Sequence, residues 1–397
     1  MENKNLSNHQ FPLQLSKGGS LDIHKDKIVG CVLESGKEAE FKQSGTLTSE
    51  LYQLCDWFAE HGIKQVAMES TGTYWYCMYG ILCESGIEVT LTNPALSRQI
   101  PGRKTDMNDA HWLCKLLVNG LLRKSFIPKE QQQQLRDLTR SRLRYTQLAS
   151  QSQNRILKIL ETCNFKLRSV LSNMNTLSAQ AIIAAIAKGE TDTDYLTGLL
   201  KGKARKKASQ MKPALQGRIT DHHREMMQSF LNDYHHYQQQ ITALDIRIQK
   251  NISCAQEEEK ITALKTIEGI GEHSAQVIIA ELGANMDQFT TADHATSWCG
   301  LAPTNNESAA KQKFTKARQG NKYLKISLIQ IAWACVRTKN SYWNAAFKRL
   351  TSRIPKKKAI VAIARKVLKV IYKLLKTGEP YQKWTATDYY QLKHKIA

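Results

Sequence analysis

SLDIHKDKIVG, residues 20–30, sets one carboxylate, Asp22, between Leu21 and Ile23 in a short β pattern. A charged group among apolar strand neighbours is costly unless it is paired or binds a cation. The stretch therefore reads both as the start of a sheet and as a candidate chemical centre. Residues 20–24 and 28–34 are expected as strands, followed by a turn at Ser35 and Gly36 and another strand near Phe41, a hairpin opening a mixed sheet. Working outward, residues 47–61 place Leu51, Leu54 and Phe58 at helical spacing, and residues 65–68 and 87–92 alternate with helical stretches as further strands. This alternation predicts an α/β domain over residues 20–128, preceded by a disordered tail over residues 1–19.

Strand signals vanish beyond it. Residues 130–160 carry Leu135, Leu138, Leu143, Leu148 and Ile156 among Gln, Arg and Ser, the pattern of one long helix. Met227, Phe230, Tyr234, Tyr237, Ile241, Leu244 and Ile248 follow a 3-4 spacing, an a/d coiled-coil seam. Residues 129–258 are thus expected as a coiled-coil middle region, with a basic insert at 201–218 that reads equally as solvated linker or as nucleic-acid contact. Residues 259–397 predict a mainly α-helical domain, whose last helix, 356–376, interleaves apolar residues with lysines and arginines.

The 397 residues carry 57 Lys+Arg against 35 Asp+Glu, a formal charge of +22, spread along the whole length. Such a field suits a polyanion, and 42% hydrophobic residues provide for real cores. No apolar run approaches the roughly 20 residues that span a bilayer, and the first twenty residues lack the apolar centre of a signal peptide. A cytoplasmic protein that contacts the nucleoid when on DNA, with no membrane partner, is expected. The nine cysteines are scattered without metal spacing, which speaks against disulfides and zinc.

Three further acids join Asp22. Glu69 closes the strand pattern KQVAMES before a turn, and Asp106 and Asp109 stand three apart at a helix start in KTDMNDA, on one helix face. Singly, each has an ordinary reading: a strand-end glutamate in water, and acids satisfying a helix dipole. As a set they are hard oxygen ligands from rigid elements at one sheet edge, the requirement of a divalent-cation site for phosphodiester chemistry. The order also matches an RNase H-like fold. Downstream, Ser308 sits among small residues in CGLAPTNNESAA, followed by Lys311, Lys313, Lys316, Arg318, Asn321 and Lys322. A serine in a turn can approach a phosphate while basic residues hold the flanking DNA, although one serine among many is ordinarily structural. IEGIG, with Gly269 and Gly271, has the hairpin of a helix-hairpin-helix element, or else a tight turn between packed helices.

Taken in order, LDIHK with Asp22, ESTGTYW with Glu69, KTDMNDA with Asp106 and Asp109, IEGIG, CGLAPTNNES with Ser308, and RQGNKYL resemble the DEDD transposases of bacterial insertion sequences. That group, numbered one-hundred-ten, comprises bridge-RNA-guided serine recombinases; the resemblance runs from about residue 20 to 385. The NNES form and long middle region are more like its subgroup numbered eleven-eleven. The resemblance implies a RuvC-like N-terminal domain, a coiled coil and a helical transposase domain. It implies Mg²⁺, or Mn²⁺, on Asp22, Glu69, Asp106 and Asp109, and Ser308 as the nucleophile that holds a DNA end as phosphoserine. It further implies a structured guide RNA pairing with donor and target DNA, a homo-oligomer (dimer or tetramer) for which the Met227 to Ile248 seam is a contact, and nucleic-acid contacts at Lys104, Gly269, Gly271 and the residues after Ser308. Two positions depart from the pattern: Ala309 and Ala310 replace a glycine-rich run, and His24 replaces a small residue. Two other readings compete, a RuvC-like nuclease using water, with Ser308 structural, and a non-catalytic nucleic-acid-binding scaffold.

Overall fold

The computed structural model describes residues 15–70, 72–94, 105–122, 124–252, 255–303, 307–308, 311–312 and 320–389. The chain divides into two compact units, Met1–Ile127 and Pro128–Ala397. In the first, β1 (Lys17–Ile23), β2 (Ile28–Glu34), β3 (Glu40–Ser44), α1 (Thr48–Glu60), β4 (Gln65–Glu69), α2 (Trp75–Glu84), β5 (Glu88–Thr92) and α3 (Asp106–Val118) follow one another. The five strands lie in the order β3-β2-β1-β4-β5. β1 and β2, and β2 and β3, pair antiparallel, whereas β1 and β4, and β4 and β5, pair parallel. Helices cover both faces. Leu21, Ile28 and Met68 pack with Leu54 and Phe58 of α1 and Met78 and Leu82 of α2. On the other face Val29 and Cys31 meet Ala110 and Cys114 of α3, and Ala67 meets Leu113 and Leu117.

This two-faced burial fixes where the acids point, because successive strand side chains alternate between faces. Ser20 donates its hydroxyl to the Ala110 carbonyl at 2.6 Å, so the even residues of β1 face α3. Asp22 shares that face. Ala67 also lies on it, and Glu69, two residues on, follows.

The second unit holds α4 (Glu130–Thr162), α5 (Leu167–Val170), α6 (Leu177–Ala187), α7 (Thr193–Gly198), a 3₁₀ turn (Gly202–Lys207), α8 (Ala208–Ala214), α9 (Asp221–Asn251), α10 (Ala255–Leu264), α11 (Glu272–Leu282), α12 (Ala292–Trp298), the two-residue strands β6 (Glu307–Ser308) and β7 (Lys311–Gln312), α13 (Lys322–Arg337), α14 (Tyr342–Thr351) and α15 (Lys356–Thr377). α4 and α9 form a long antiparallel pair: Arg142 meets Asp245 at 2.9 Å, Tyr145 stacks near Tyr237, and the Arg155 guanidinium lies over Phe230. One core gathers Ile156 and Leu160 of α4 with Met227 and Leu231 of α9, α6 and α8. A larger one gathers Leu135 and Ile248, the opposite ends of the same pair, with α11, α13 and α15.

Three expectations change. β1 begins at Lys17, so residues 17–19 belong to the sheet and not to a tail, because their backbone pairs with Leu33, Val32 and Glu34 of β2. The regions read as separate at 258/259 lie in one compact unit, since α4 and α9 run through both cores. The seam from Met227 to Ile248, expected as an intersubunit contact, is met within the chain along part of its length: Met227, Leu244 and Ile248 are buried and Tyr237 meets Tyr145 of α4, while Phe230, Tyr234 and Ile241 stay half-buried.

In the larger core Ile371 is fully buried on α15. Ile371→Ala is expected to cost about 2–5 kcal/mol of unfolding free energy, read from a denaturant midpoint. Asp293, in the first turn of α12, is bonded to Lys369 and Arg365 of α15, and those two cations hold its carboxyl below the usual range. A depressed carboxyl contributes stability above its unfolded value, lost as pH falls through the lower folded one. Asp293→Asn is therefore expected to narrow the stability difference from the parent below about pH 4. Because the pair is largely exposed, the effect above that pH stays under about 1 kcal/mol, measured by denaturation across pH.

Candidate metal centre and the base of the serine segment

β1 and β4 run parallel, with Leu21 paired to Met68. One residue further, Asp22 and Glu69 stand side by side where both strands end, on the face covered by α3. The first turn of α3 brings Asp106 and Asp109 to that edge, capped by Thr105, whose hydroxyl accepts from the Asn108 amide at 3.2 Å. Acids in a first helical turn are favoured there by the helix dipole.

Oxygens of Asp22 and Asp106 and the Nε2 of His24 lie within 4.8 Å of one another. His24 Nε2 is 3.2 Å from Asp22 Oδ2 and 3.5 Å from Asp106 Oδ1. Lys27 donates to the other oxygen, Oδ2, of Asp106. Burial pushes the Asp22 carboxyl above its ordinary range; His24 lowers it, while the charges of Asp106 and Asp109 raise it further. The Lys27 ammonium holds Asp106 below its ordinary range. A partly desolvated carboxylate beside two more acids is short of positive charge, and its donors are hard oxygens, so the set fits a divalent cation. Strand register and the α3 turn place Glu69 and Asp109 at the same edge.

The second centre lies in the other unit. Ser308 pairs with Lys311 across β6 and β7, a short antiparallel hairpin. The side chains of Ser308 and Lys311, and all of Lys313, Lys316 and Arg318, lie outside the described residues, as does Lys104 in the first unit. What the structure does describe is the base of this segment. A Cβ on Gly320 would fall 2.4 Å from the Gly300 nitrogen and 2.6 Å from the Trp298 carbonyl oxygen, all backbone atoms. The Asn321 amide donates to the Trp298 carbonyl, and Lys325 donates to the Gly300 carbonyl at 3.0 Å. Residues 298–300 and 320–321 thus meet main chain to main chain.

Residues 20–165 match a profile of the DEDD transposases of IS110, described as a transposase. Residues 261–348 match another, described as the transposase IS116/IS110/IS902 family. The chain belongs to the IS110 transposase family. The first match takes in all four acids, and the second takes in Ser308 and Gly320. Among curated relatives, the pilin gene-inverting protein of Moraxella bovis is 28% identical over 152 residues, 37% of this chain and 47% of that protein. An uncharacterized 43.6 kDa protein of the insertion element IS110 from Streptomyces coelicolor is 28% identical over 123 residues, 30% of this chain and 29% of that one. A putative transposase of Sinorhizobium fredii is 29% identical over 132 residues, 31% of this chain and 33% of that one. The matched segment spans about half the length of the first of these relatives and less of the others. Among the described residues no helix is long and apolar enough to cross a membrane.

For this IS110-family chain the other candidate contacts separate by environment. Gly269, at φ +83°, is pressed against α13, where a Cβ would lie 2.9 Å from the Ile331 carbonyl oxygen, so helix packing accounts for it. Gly271 caps α11 with open space around its Cα. Asn321 caps α13 and donates its side-chain amide to Glu281 at 2.6 Å, whereas Lys322 beside it is exposed. Glu281 was not legible as a site residue. It is fully buried in α11, and Arg140 grips both its oxygens at 2.8 Å. Arg136 anchors on the Ala280 carbonyl. A glutamate within the apolar run of IIAEL was the available signal. Lys27 and His24 were likewise unassigned; the i, i+2 spacing of Asp22 and His24 at a strand end was the clue.

Gly320→Ala must displace backbone on one side or the other. We expect a loss of about 1–3 kcal/mol or more, read as a lowered denaturant midpoint, whereas Gly271→Ala stays within about 1 kcal/mol of the parent.

Proposed function

We propose that the chain is the transposase of an insertion element, cutting, exchanging and rejoining DNA strands at sites chosen by a structured guide RNA. The observation that carries this reading is the approach of Asp22 and Asp106 to one point at the end of β1, with Glu69 and Asp109 at the same edge. The sheet order β3-β2-β1-β4-β5, with carboxylates on β1, β4 and a following helix, supports a RuvC-like fold of the RNase H type. The family match supports transposition, and the name of the Moraxella relative, a gene-inverting protein, supports exchange of strands over simple cutting. The charge of +22 supports polyanionic partners, donor and target DNA and the RNA.

In this reading Asp22, Glu69, Asp106 and Asp109 hold Mg²⁺ or Mn²⁺. When bound, the cation supplies charge stabilisation at the scissile phosphate. The Ser308 oxygen forms a bond to phosphorus as the bond from phosphorus to one deoxyribose oxygen breaks; the serine proton leaves, and the departing oxygen gains one. The phosphoserine ester conserves the bond, so a sugar hydroxyl of the incoming strand can displace serine and restore the backbone. Lys311, Lys313, Lys316, Arg318 and Lys322 flank the serine and serve the DNA backbone, and Lys104 serves the metal end. Copies of the chain act together, as a dimer or tetramer.

The test uses the complete element in cells, scored by sequencing of excision and insertion junctions. Ser308→Ala and Asp22→Asn are each expected to lower junction formation at least about 10³-fold. Ser308→Ala is also expected to lose the covalent protein–DNA adduct that the parent forms. Cleavage that survives in Ser308→Ala would replace this reading with a water-using nuclease. Recombination unchanged in Asp22→Asn would reduce the chain to a scaffold. RNA from the element is expected to copurify with both variants.

A further inference from the structure

His24 occupies a place that four carboxylates alone do not explain. β1 ends at Ile23, and the His24 amide donates to the Lys27 carbonyl at 2.9 Å, a tight turn that swings the imidazole back over the strand end. Its Nε2 then stands 3.2 Å from an Asp22 oxygen and 3.5 Å from an Asp106 oxygen. Adjacent ligands on an octahedral ion, with bonds of about 2.0–2.2 Å, are separated by roughly 3 Å, and opposite ones by roughly 4.4 Å. All three atoms fall within 4.8 Å of one another, so one ion can meet all of them with small adjustments. Lys27 contributes by holding Asp106 Oδ2, which leaves Oδ1 turned toward His24. The imidazole is about half open, with a side-chain exposure of 52%, so water or a phosphate oxygen can complete the shell from that side.

We propose that His24 supplies a nitrogen ligand to the cation held by Asp22 and Asp106, and so gives this centre a preference for Mn²⁺ over Mg²⁺. The inference rests on the carboxylates forming a metal centre. Mg²⁺ prefers oxygen ligands and gives up its waters reluctantly, whereas imidazole nitrogen is a better ligand for first-row transition ions. Exchanging one oxygen for nitrogen therefore costs Mg²⁺ more than Mn²⁺. His24 and Asp22 share a strand end two residues apart, so both are aimed before any ion arrives.

The full-length protein is titrated with Mn²⁺ alone, and then with Mn²⁺ against competing Mg²⁺, following the free-ion electron paramagnetic resonance signal. Pulsed measurements on the bound ion read coupling to a ligated ¹⁴N nucleus. The parent is expected to show that coupling. His24→Ala is expected to lose it and to bind Mn²⁺ about 10-fold or more weakly, with Mg²⁺ affinity changed less than about threefold. The variant's unfolding midpoint is measured alongside, so that binding is compared only between folded proteins. Asp22→Asn separates the two layers of the argument. If it abolishes binding while the parent shows no nitrogen coupling, or if coupling persists in His24→Ala, the histidine assignment is overturned and the carboxylate centre stands. If Mn²⁺ binding survives Asp22→Asn unchanged, the centre itself is wrong.

Discussion

Carboxylates gathered at one sheet edge repel each other, and the first unit is arranged around offsetting that repulsion. The parallel pairing of β1 with β4 sets Asp22 and Glu69 at neighbouring strand ends, and α3 delivers two more acids from its first turn. Three local devices reduce the cost: the positive end of the α3 dipole, the ammonium of Lys27 on Asp106, and the imidazole of His24. None relieves the burial of Asp22, whose carboxyl stays raised. The sheet thus supplies the geometry and leaves an electrostatic deficit.

The second unit handles a buried acid differently. Glu281 has no exposure, yet Arg140 meets both its oxygens and Asn321 meets one. A buried pair of this kind is weak evidence for net stability, but losing one partner leaves an uncompensated charge. Its position suits registration: Asn321 is also the cap of α13, so the start of that helix, the end of α11 and the N-terminal third of α4 are locked to one another. The same asparagine that looked like a nucleic-acid contact in RQGNKYL is committed to this lock.

Much of the sheet was legible because alternation in 20–24, 65–68 and 87–92 is a local property, and the acids stood out as one charge inside a strand, one at a strand end and two at a helix start. The face each acid takes was also implicit, since Ser20 and Asp22 differ by one period. What could not be read was anything set by tertiary partners. Heptad spacing over Met227 to Ile248 announces a helix that needs a companion without saying whose, and α4 of the same chain covers part of it. Backbone approach at Gly320 leaves no trace in composition either; a glycine in a basic loop looks like flexibility until Trp298 and Gly300 are seen against it. The start of β1 at Lys17 was missed because Lys17, Gly18 and Gly19 lack β propensity, and pairing with β2 overrides it.

The contact of Gly320 with Gly300 fixes both ends of the stretch between them independently of its contents. Closing a longer loop costs little, roughly 0.6 kcal/mol for each doubling of its length. Extra residues inserted between the two glycines would therefore add little to the cost of bringing them together, and the helices on either side would keep their register.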